Sequence, residues 1–476
     1  MQLLCKKRWL AGLVALLAVL FVVALAQGET LSGSCGENLV WTLDDDGLLV
    51  IWGTGSMTSH PWYLYSSRVR KIVVNDGVTD IVSRAFEKHN NVESVYLPNS
   101  LKSIGTWAFF QCTSLKSVSI PDGLSVIEDG AFSECESLTK ISLPDTVTAI
   151  NNQAFSKCAS LASFTFPSGV TEISYQVLSG CGSLTRVKLP SHVVSIGWAA
   201  FCDCVNLTDI PLPDSLTTIG SNAFENCSSL NSVTFPISLD FVDAYAYVRC
   251  GSLSVLNVSS FLSRIGKNAF LDCGALKSVI VPVINPYAAQ YFRENGFAAA
   301  VSIRKIGLSE CRITEKIEDW VYTGKKITPS VSAEYGPLTL AEGTDYTVTY
   351  KKNTNIGTAS VVLEGKNDYE GKIVIPFKIL PQPVELVSVR SEKAKQLTVR
   401  WEPGTGGIKG YEIEYSLSKN FKKSKTVRVS GLKTDSKTIK NLKSKNRYFI
   451  RIRAWKKVSG KMYYSEWSPI KNAKVK

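Results

Sequence analysis

Histidine is almost absent from this chain: there are three in 476 residues, at positions 60, 89 and 192. Much acid–base and nucleophilic catalysis at neutral pH is built around an imidazole, so this scarcity removes a large class of enzymes. No nucleophile elbow, phosphate-cradling glycine loop or zinc-ligand spacing occurs either. Long apolar runs are missing beyond Ala26, so no later segment is expected to span a bilayer. The chain is therefore read as a non-enzyme with no catalytic residue, metal or cofactor. It is not a disordered chain, because 45% of its residues are hydrophobic and only 20% are charged.

Positive charge is also missing from most of the chain. The net charge is +13, but residues 381–476 carry 24 Lys/Arg against 7 Asp/Glu, a net +17 that leaves −4 for the rest. One domain is basic and the protein as a whole is not. At the other end, Lys6, Lys7 and Arg8 precede the apolar run 9–24 and the small-residue stretch Ala24-Leu25-Ala26. That order is the pattern of a secretory signal, cut after Ala26. The alternative is a retained membrane anchor, for which the run is short against the roughly 20 residues a spanning helix needs. The protein is read as secreted or held at the cell surface.

Between these ends, one period governs. Cysteines stand at 112, 135, 158, 181, 204, 227, 250 and 273, in unbroken 23-residue steps. Ala-Phe pairs recur in step (Ala108-Phe109, Ala131-Phe132, Ala154-Phe155, Ala200-Phe201, Ala223-Phe224, Ala269-Phe270), as do isoleucines from Ile104 to Ile265 and prolines from Pro98 to Pro282. A ninth unit precedes them, with Ala85-Phe86 and with His89 in the cysteine position. A fixed period in the twenties with apolar residues at set offsets means stacked coils, none of which buries enough apolar surface to fold alone. The expected fold is mainly β: a nine-coil solenoid followed by two β-sandwich domains. Ahead of the coils, residues 27–70 read as a β cap, with Asp44-Asp45-Asp46-Gly47 as a hairpin turn and not a calcium loop. The solenoid takes 71–302, and Asn285-Pro286 starts a short capping helix ending at Gly296. Parallel rungs point the same way, so the eight cysteines are read as buried free thiols and not as disulfides.

This repeat resembles the BspA-type leucine-rich repeats of bacterial and some protozoan surface proteins, caps included. The resemblance implies an adhesin that binds proteins of a host or neighbouring cell. It weakens at Gln176-Val177-Leu178 and in the unit 239–259, which has Tyr245 and Tyr247 and lacks the closing proline. Residues 303–380, with Tyr322-Thr323-Gly324 and Tyr369-Glu370-Gly371, look like the small Ig-like sandwiches of bacterial surface proteins. Residues 381–476 are similar to a fibronectin type III domain: Trp401 sits on an alternating strand, and Leu442 and Tyr448 have the spacing of a tyrosine corner.

A solenoid offers an extended face to macromolecules. The candidate contacts on it are the bulky side chains among small ones, Trp107, Phe110, Trp198, Phe241 and Tyr245; packing on the neighbouring coil is the competing reading for each. The second strands should present hydroxyls outward, such as Ser117 and Ser119 or Ser163 and Thr165, with no carboxylate pair for glycoside hydrolysis. In the last domain, Lys422, Lys423 and Lys425, with Arg451, Arg453, Lys456 and Lys457, are candidates for binding a polyanion such as a wall polymer or glycosaminoglycan. A solvated basic face is the alternative. Nucleic acid is not expected, because no array of stacking aromatics accompanies these charges. A structural wall or matrix component without a specific ligand is the competing function.

Overall fold

The 23-residue period becomes a parallel ladder. In the computed structural model, which describes residues 30–476, every coil but one contributes two short strands joined by a tight turn. First strands pair at the 23-residue offset, as in Ser195↔Thr218 and Ile196↔Ile219. Second strands do the same, as in Ser117–Ser119 with Lys140–Ser142. The turn is laddered too. Trp107, Phe109 and Gln111 donate their N–H groups to the carbonyls of Asp129, Ala131 and Ser133 one coil on. Trp107 and Gln111 hold φ near 60°, and the same two positions repeat along most coils. That alternation of left- and right-handed backbone turns every second N–H along the stack, so the corner hydrogen-bonds as a strand would.

Inside, the repeated isoleucine, alanine, phenylalanine, cysteine and leucine of each coil are buried. The phenylalanines form two columns of stacked rings, Phe86–Phe109–Phe132–Phe155 and Phe201–Phe224–Tyr247–Phe270, at centroid spacings of 5.0–5.6 Å. Leu178 interrupts them, and Phe155 instead meets Phe164 at 5.1 Å, tilted by 54°. Each of the eight thiols at 23-residue spacing, Cys112 to Cys273, donates to the carbonyl of the residue 26 positions earlier, at 3.1–3.3 Å.

The ends continue the stack. Strands β1 (Leu31–Gly36), β2 (Asn38–Leu43) and β3 (Leu48–Ser56) form an antiparallel meander, with Gly47 at φ 81° in the β2–β3 turn. Yet β3 also pairs in parallel with Lys71–Val74, one repeat period on, so the cap is itself the first rung. Trp62 lies over Phe86 at 5.6 Å and donates its indole N–H to the Ala85 carbonyl at 2.7 Å. At the far end, Asn285 caps helix α1 (Pro286–Phe292) by accepting from the Ala288 N–H at 3.0 Å. The chain turns again at Gly296 (φ 93°), and Val301–Arg304 pairs in parallel with Ser278–Pro282. Nine coils plus these end turns give about 11 turns. The expected secretory signal lies outside the described residues.

The chain divides into two units, the second covering Lys305–Lys476. Its first part has a four-stranded sheet (Trp320–Val321, Lys372–Leu380, Gly357–Gly365, Tyr346–Lys351) and a three-stranded one (Arg312–Ile313, Ala333–Tyr335, Leu338–Thr339), with Tyr346, Val361, Leu363 and Ile379 buried. Its second part sets a three-stranded sheet (Leu386–Arg390, Leu397–Trp401, Ser436–Ile439) beside a five-stranded one built on Gly410–Ser416 and Arg447–Val458. Trp401, Tyr411, Ile413, Ile450 and Ile452 share its core. The Tyr448 phenol accepts from the Lys443 N–H at 3.2 Å, closing the tyrosine corner.

Candidate binding surfaces

Trp107, Phe241 and Tyr245 each pack on the next coil, and Phe110 packs on Trp107 within its own. Trp107 and Phe110 are half-buried and meet edge-on at 4.8 Å. A Cβ on Gly130, one coil on, would come within 2.4 Å of the Trp107 ring, so that glycine makes room for the indole. Phe241 lies 3.8 Å beneath the Arg264 guanidinium. The Tyr245 hydroxyl is 3.3 Å from the Asn268 amide. Trp198 differs. It is 42% exposed, and its ring is stacked at 4.7 Å on Tyr175, which is 40% exposed. Tyr175 escaped the sequence reading, although it sits one repeat period before Trp198 and therefore on the same ladder position.

The second-strand face presents hydroxyls where expected, with Ser117, Ser119, Ser163 and Thr165 all exposed. Two departures were not foreseen. On the first rungs the outward ladder is Val50↔Val73↔Tyr96, next to Trp52; Trp52 and Tyr96 are 50% and 57% exposed. Further on, pairing shrinks to a single bridge, Arg186↔Asp209, because Pro211 has no N–H to donate. A cleft of about 720 Å³ opens there, lined by Lys188, Leu189, Pro211, Leu212 and Asp214 among others. No cluster of three or more His, Cys, Asp or Glu able to hold a metal is present among the described residues.

In the last domain the seven basic candidates separate into three groups. Lys422, Lys423 and Lys425 are exposed on the loop entering the edge strand Lys425–Ser430. Positive φ at Phe421 and Lys423 shapes that loop, and the buried Phe421 ring anchors it. Lys456 and Lys457 lie at the other end of Arg447–Val458, in the hairpin with Lys461–Tyr464. Arg451 and Arg453 lie between and are occupied internally. Arg451 bonds Glu414 at 2.6 Å, while Glu412 takes Arg428 at 2.7 Å and Arg453. Their guanidiniums interleave with rings: Arg451 is 4.2 Å from Phe421 and 4.5 Å from Trp467, and Arg453 is 4.2 Å from Trp467 and 3.7 Å from Tyr464. Burial alone would push the Glu412 carboxyl up; Arg428 and Arg453 outweigh it and hold it below the usual carboxylate range.

Comparison with known proteins fits this architecture. The model of the BspA type leucine rich repeat region matches residues 62–185 and 171–299, together half of the chain, and the fibronectin type III model matches residues 382–471. No curated protein matches. Among solved structures, a leucine-rich repeat protein from Bacteroides ovatus is 26% identical over 54% of this chain and 71% of its own, with a TM-score of 0.47. The leucine-rich repeat protein of T. pallidum is 25% identical over 55% and 96%, with a TM-score of 0.28. A leucine rich cell surface protein from Faecalibacterium prausnitzii is 22% identical over 54% and 96%, with a TM-score of 0.27. The chain belongs to the BspA-type leucine-rich repeat proteins and carries a fibronectin type III domain at its C-terminal end.

Proposed function

We propose that the protein is an exported, adhesin-like binding protein of the cell surface with two separate binding surfaces. The solenoid takes a protein or glycan of a host or neighbouring cell, and the last domain takes an anionic polymer. Family membership and the extended solenoid face support the first part. One observation carries the second: the buried carboxylates Glu412 and Glu414 are spent on three arginines, so the exposed lysines of a domain with net +17 stand largely uncompensated.

The two surfaces separate by salt. Attraction between exposed charges is screened over about 8 Å at physiological ionic strength and over about 3 Å at 1 M. The full chain should be held by immobilised heparin or teichoic acid at low salt and released at high salt. On intact cells a fraction should survive the high-salt wash, held through the solenoid. Failure to bind either polymer at low salt refutes the basic surface, and complete release from cells at high salt refutes the solenoid surface.

A further inference from the structure

The position shared by Tyr175 and Trp198 is filled on most other coils by small or polar residues: Asn152 comes before the pair, and Ser221 and Ala244 follow it. Nothing larger than a hydroxymethyl group therefore follows the indole on its outer side. The Ser221 hydroxyl is turned away, donating to the Ala244 carbonyl at 2.8 Å, with the Asn222 side chain 2.9 Å from it. The two rings brace each other, 11° from parallel, so Trp198 is held flat across the stack with its far face open.

A second feature adjoins the rings. Gln153 donates its amide to the Gln176 oxygen at 2.7 Å, which begins a ladder of side-chain amides. The next residue in that register is Ala199, so the ladder stops, and the Gln176 amino group has no protein acceptor among the described residues. An open aromatic face beside an unspent amide donor occurs on an edge whose nearest side chains, Asn152, Gln153, Ser221 and Asn222, are all uncharged. The one charge against them, Glu225, is taken up by the Asn222 amide at 2.6 Å and by Arg249 at 3.6 Å, so a charged peptide would find little free counter-charge there. A neutral sugar matches both elements, with an apolar C–H face for the indole and hydroxyls for the amides.

We infer that Tyr175, Gln176 and Trp198 form a subsite for a neutral glycan, in which one pyranose ring lies on the outer face of Trp198 in the space left by Ser221 and Ala244. This rests on the reading of the solenoid as a binding module and names the ligand class for one part of it. The basic last domain takes no part.

Affinity electrophoresis of the full-length protein through gels containing laminarin, xylan or galactomannan tests the assignment. The wild type should be retarded by at least one of these neutral polymers. Trp198→Ala should weaken that retardation at least tenfold and Gln176→Ala severalfold. Ser221→Phe fills the space over the indole and should abolish retardation with Trp198 still in place, so loss of binding need not reflect a missing ring. Trp52→Ala, at an exposed tryptophan elsewhere, should leave retardation unchanged. Absence of retardation by all three polymers, or equal retardation of wild type, Trp198→Ala and Ser221→Phe, overturns the subsite. A protein that no polymer retards but that stays on cells at high salt loses only the glycan assignment. One that fails both tests loses the solenoid's binding role as well.

Discussion

The Cys158 thiol donates to the carbonyl of Phe132, 26 residues earlier, at 3.3 Å. The acceptor lies on the preceding coil, so each sulfur helps to fasten its own coil to the one before. Burial pushes the rung thiols from Cys112 to Cys227 up, to about 12 for Cys112 and well above the ordinary range for Cys158, whereas at the end of the stack the hydrogen bond between Cys250 and Cys273 raises the first and lowers the second. A thiolate, the reactive form, is thus suppressed on the rungs up to Cys227. Alkylation of the native protein should spare the eight rungs from Cys112 to Cys273, and labelling after denaturation without reductant should reach all of them. Cys158→Ala should cost about 1 kcal/mol or somewhat more, combining a lost hydrogen bond with a small void. Cys158→Arg, placing an unpaired charge in the stack, should prevent folding of the central coils. Disulfides at 23-residue spacing in a mass-spectrometric map would refute this.

His89 occupies the same rung and behaves differently. It is fully buried, its Nδ1 lies 3.0 Å from the Glu87 carbonyl, and its Nε2 has no hydrogen-bond partner. Burial holds its pKa below the ordinary 6.5, with His60 nearby adding to the effect. The unfolded chain therefore binds the proton more readily than the folded one. The stability contribution is complete above about pH 6.5 and is lost progressively as pH falls towards the folded pKa, with a slope of at most about 1.4 kcal/mol per unit. Urea midpoints measured from pH 7 to pH 5 should fall in the wild type. His89→Cys, which installs the residue of the other eight coils, should flatten that decline. An unchanged slope would mean that His89 does not titrate between the two states.

The phenylalanine columns carry a different load. Phe132 lies between Phe109 at 5.1 Å and Phe155 at 5.6 Å, within 4° of parallel to both. Phe132→Ala removes a fully buried ring and should cost about 3–5 kcal/mol. Because coils contact only their neighbours, the loss is local and should divide the unfolding of the stack into two steps. Phe110→Ala, on the half-buried corner, should cost less and leave a single transition. Urea unfolding of both variants, followed by circular dichroism, distinguishes the cases.

These rungs were legible in the sequence because each repeats one inward residue at one offset. Features carried by a single coil, or by residues distant in sequence, were harder to read. β3 joins the ladder through Leu49 and Ile51, which stand one period before Ile72 and Val74, although no cysteine at the repeat position and no Ala-Phe pair marks the cap. Tyr175 could have been found by stepping back one period from Trp198. The pairing of Arg451 and Arg453 with Glu414 and Glu412 had a signal as well: Arg-x-Arg on one strand faces Glu-x-Glu on its neighbour. That signal is visible only once the two strands are placed side by side, 37 and 41 residues apart. Local charge counting cannot reveal it.

The same pairing separates exposed lysines from arginines held by carboxylates. Lys425 lies opposite Tyr415, which pairs with Ile450, whereas Lys457 pairs with Met462 beyond Trp455. Seven residues of strand, roughly 23 Å, divide those ends, more than twice the screening length at physiological salt. The two lysine groups should therefore act independently on a long polyanion. Changing Lys422, Lys423 and Lys425 to Glu, or Lys456 and Lys457 to Glu, should each lower the salt at which the full chain leaves a heparin column, and the combined variant should show the sum of the two shifts. Glu412→Gln should do the reverse. It leaves Arg428 and Arg453 without their carboxylate, so the domain should lose about 1–3 kcal/mol, a range reduced from that of a fully buried pair because both arginines are partly solvated. Its elution should not move to lower salt, since no lysine has been touched and one negative charge has gone. Elution of the five-lysine variant at the wild-type salt would show that these lysines are only a solvated face, and would leave the solenoid as the sole binding surface.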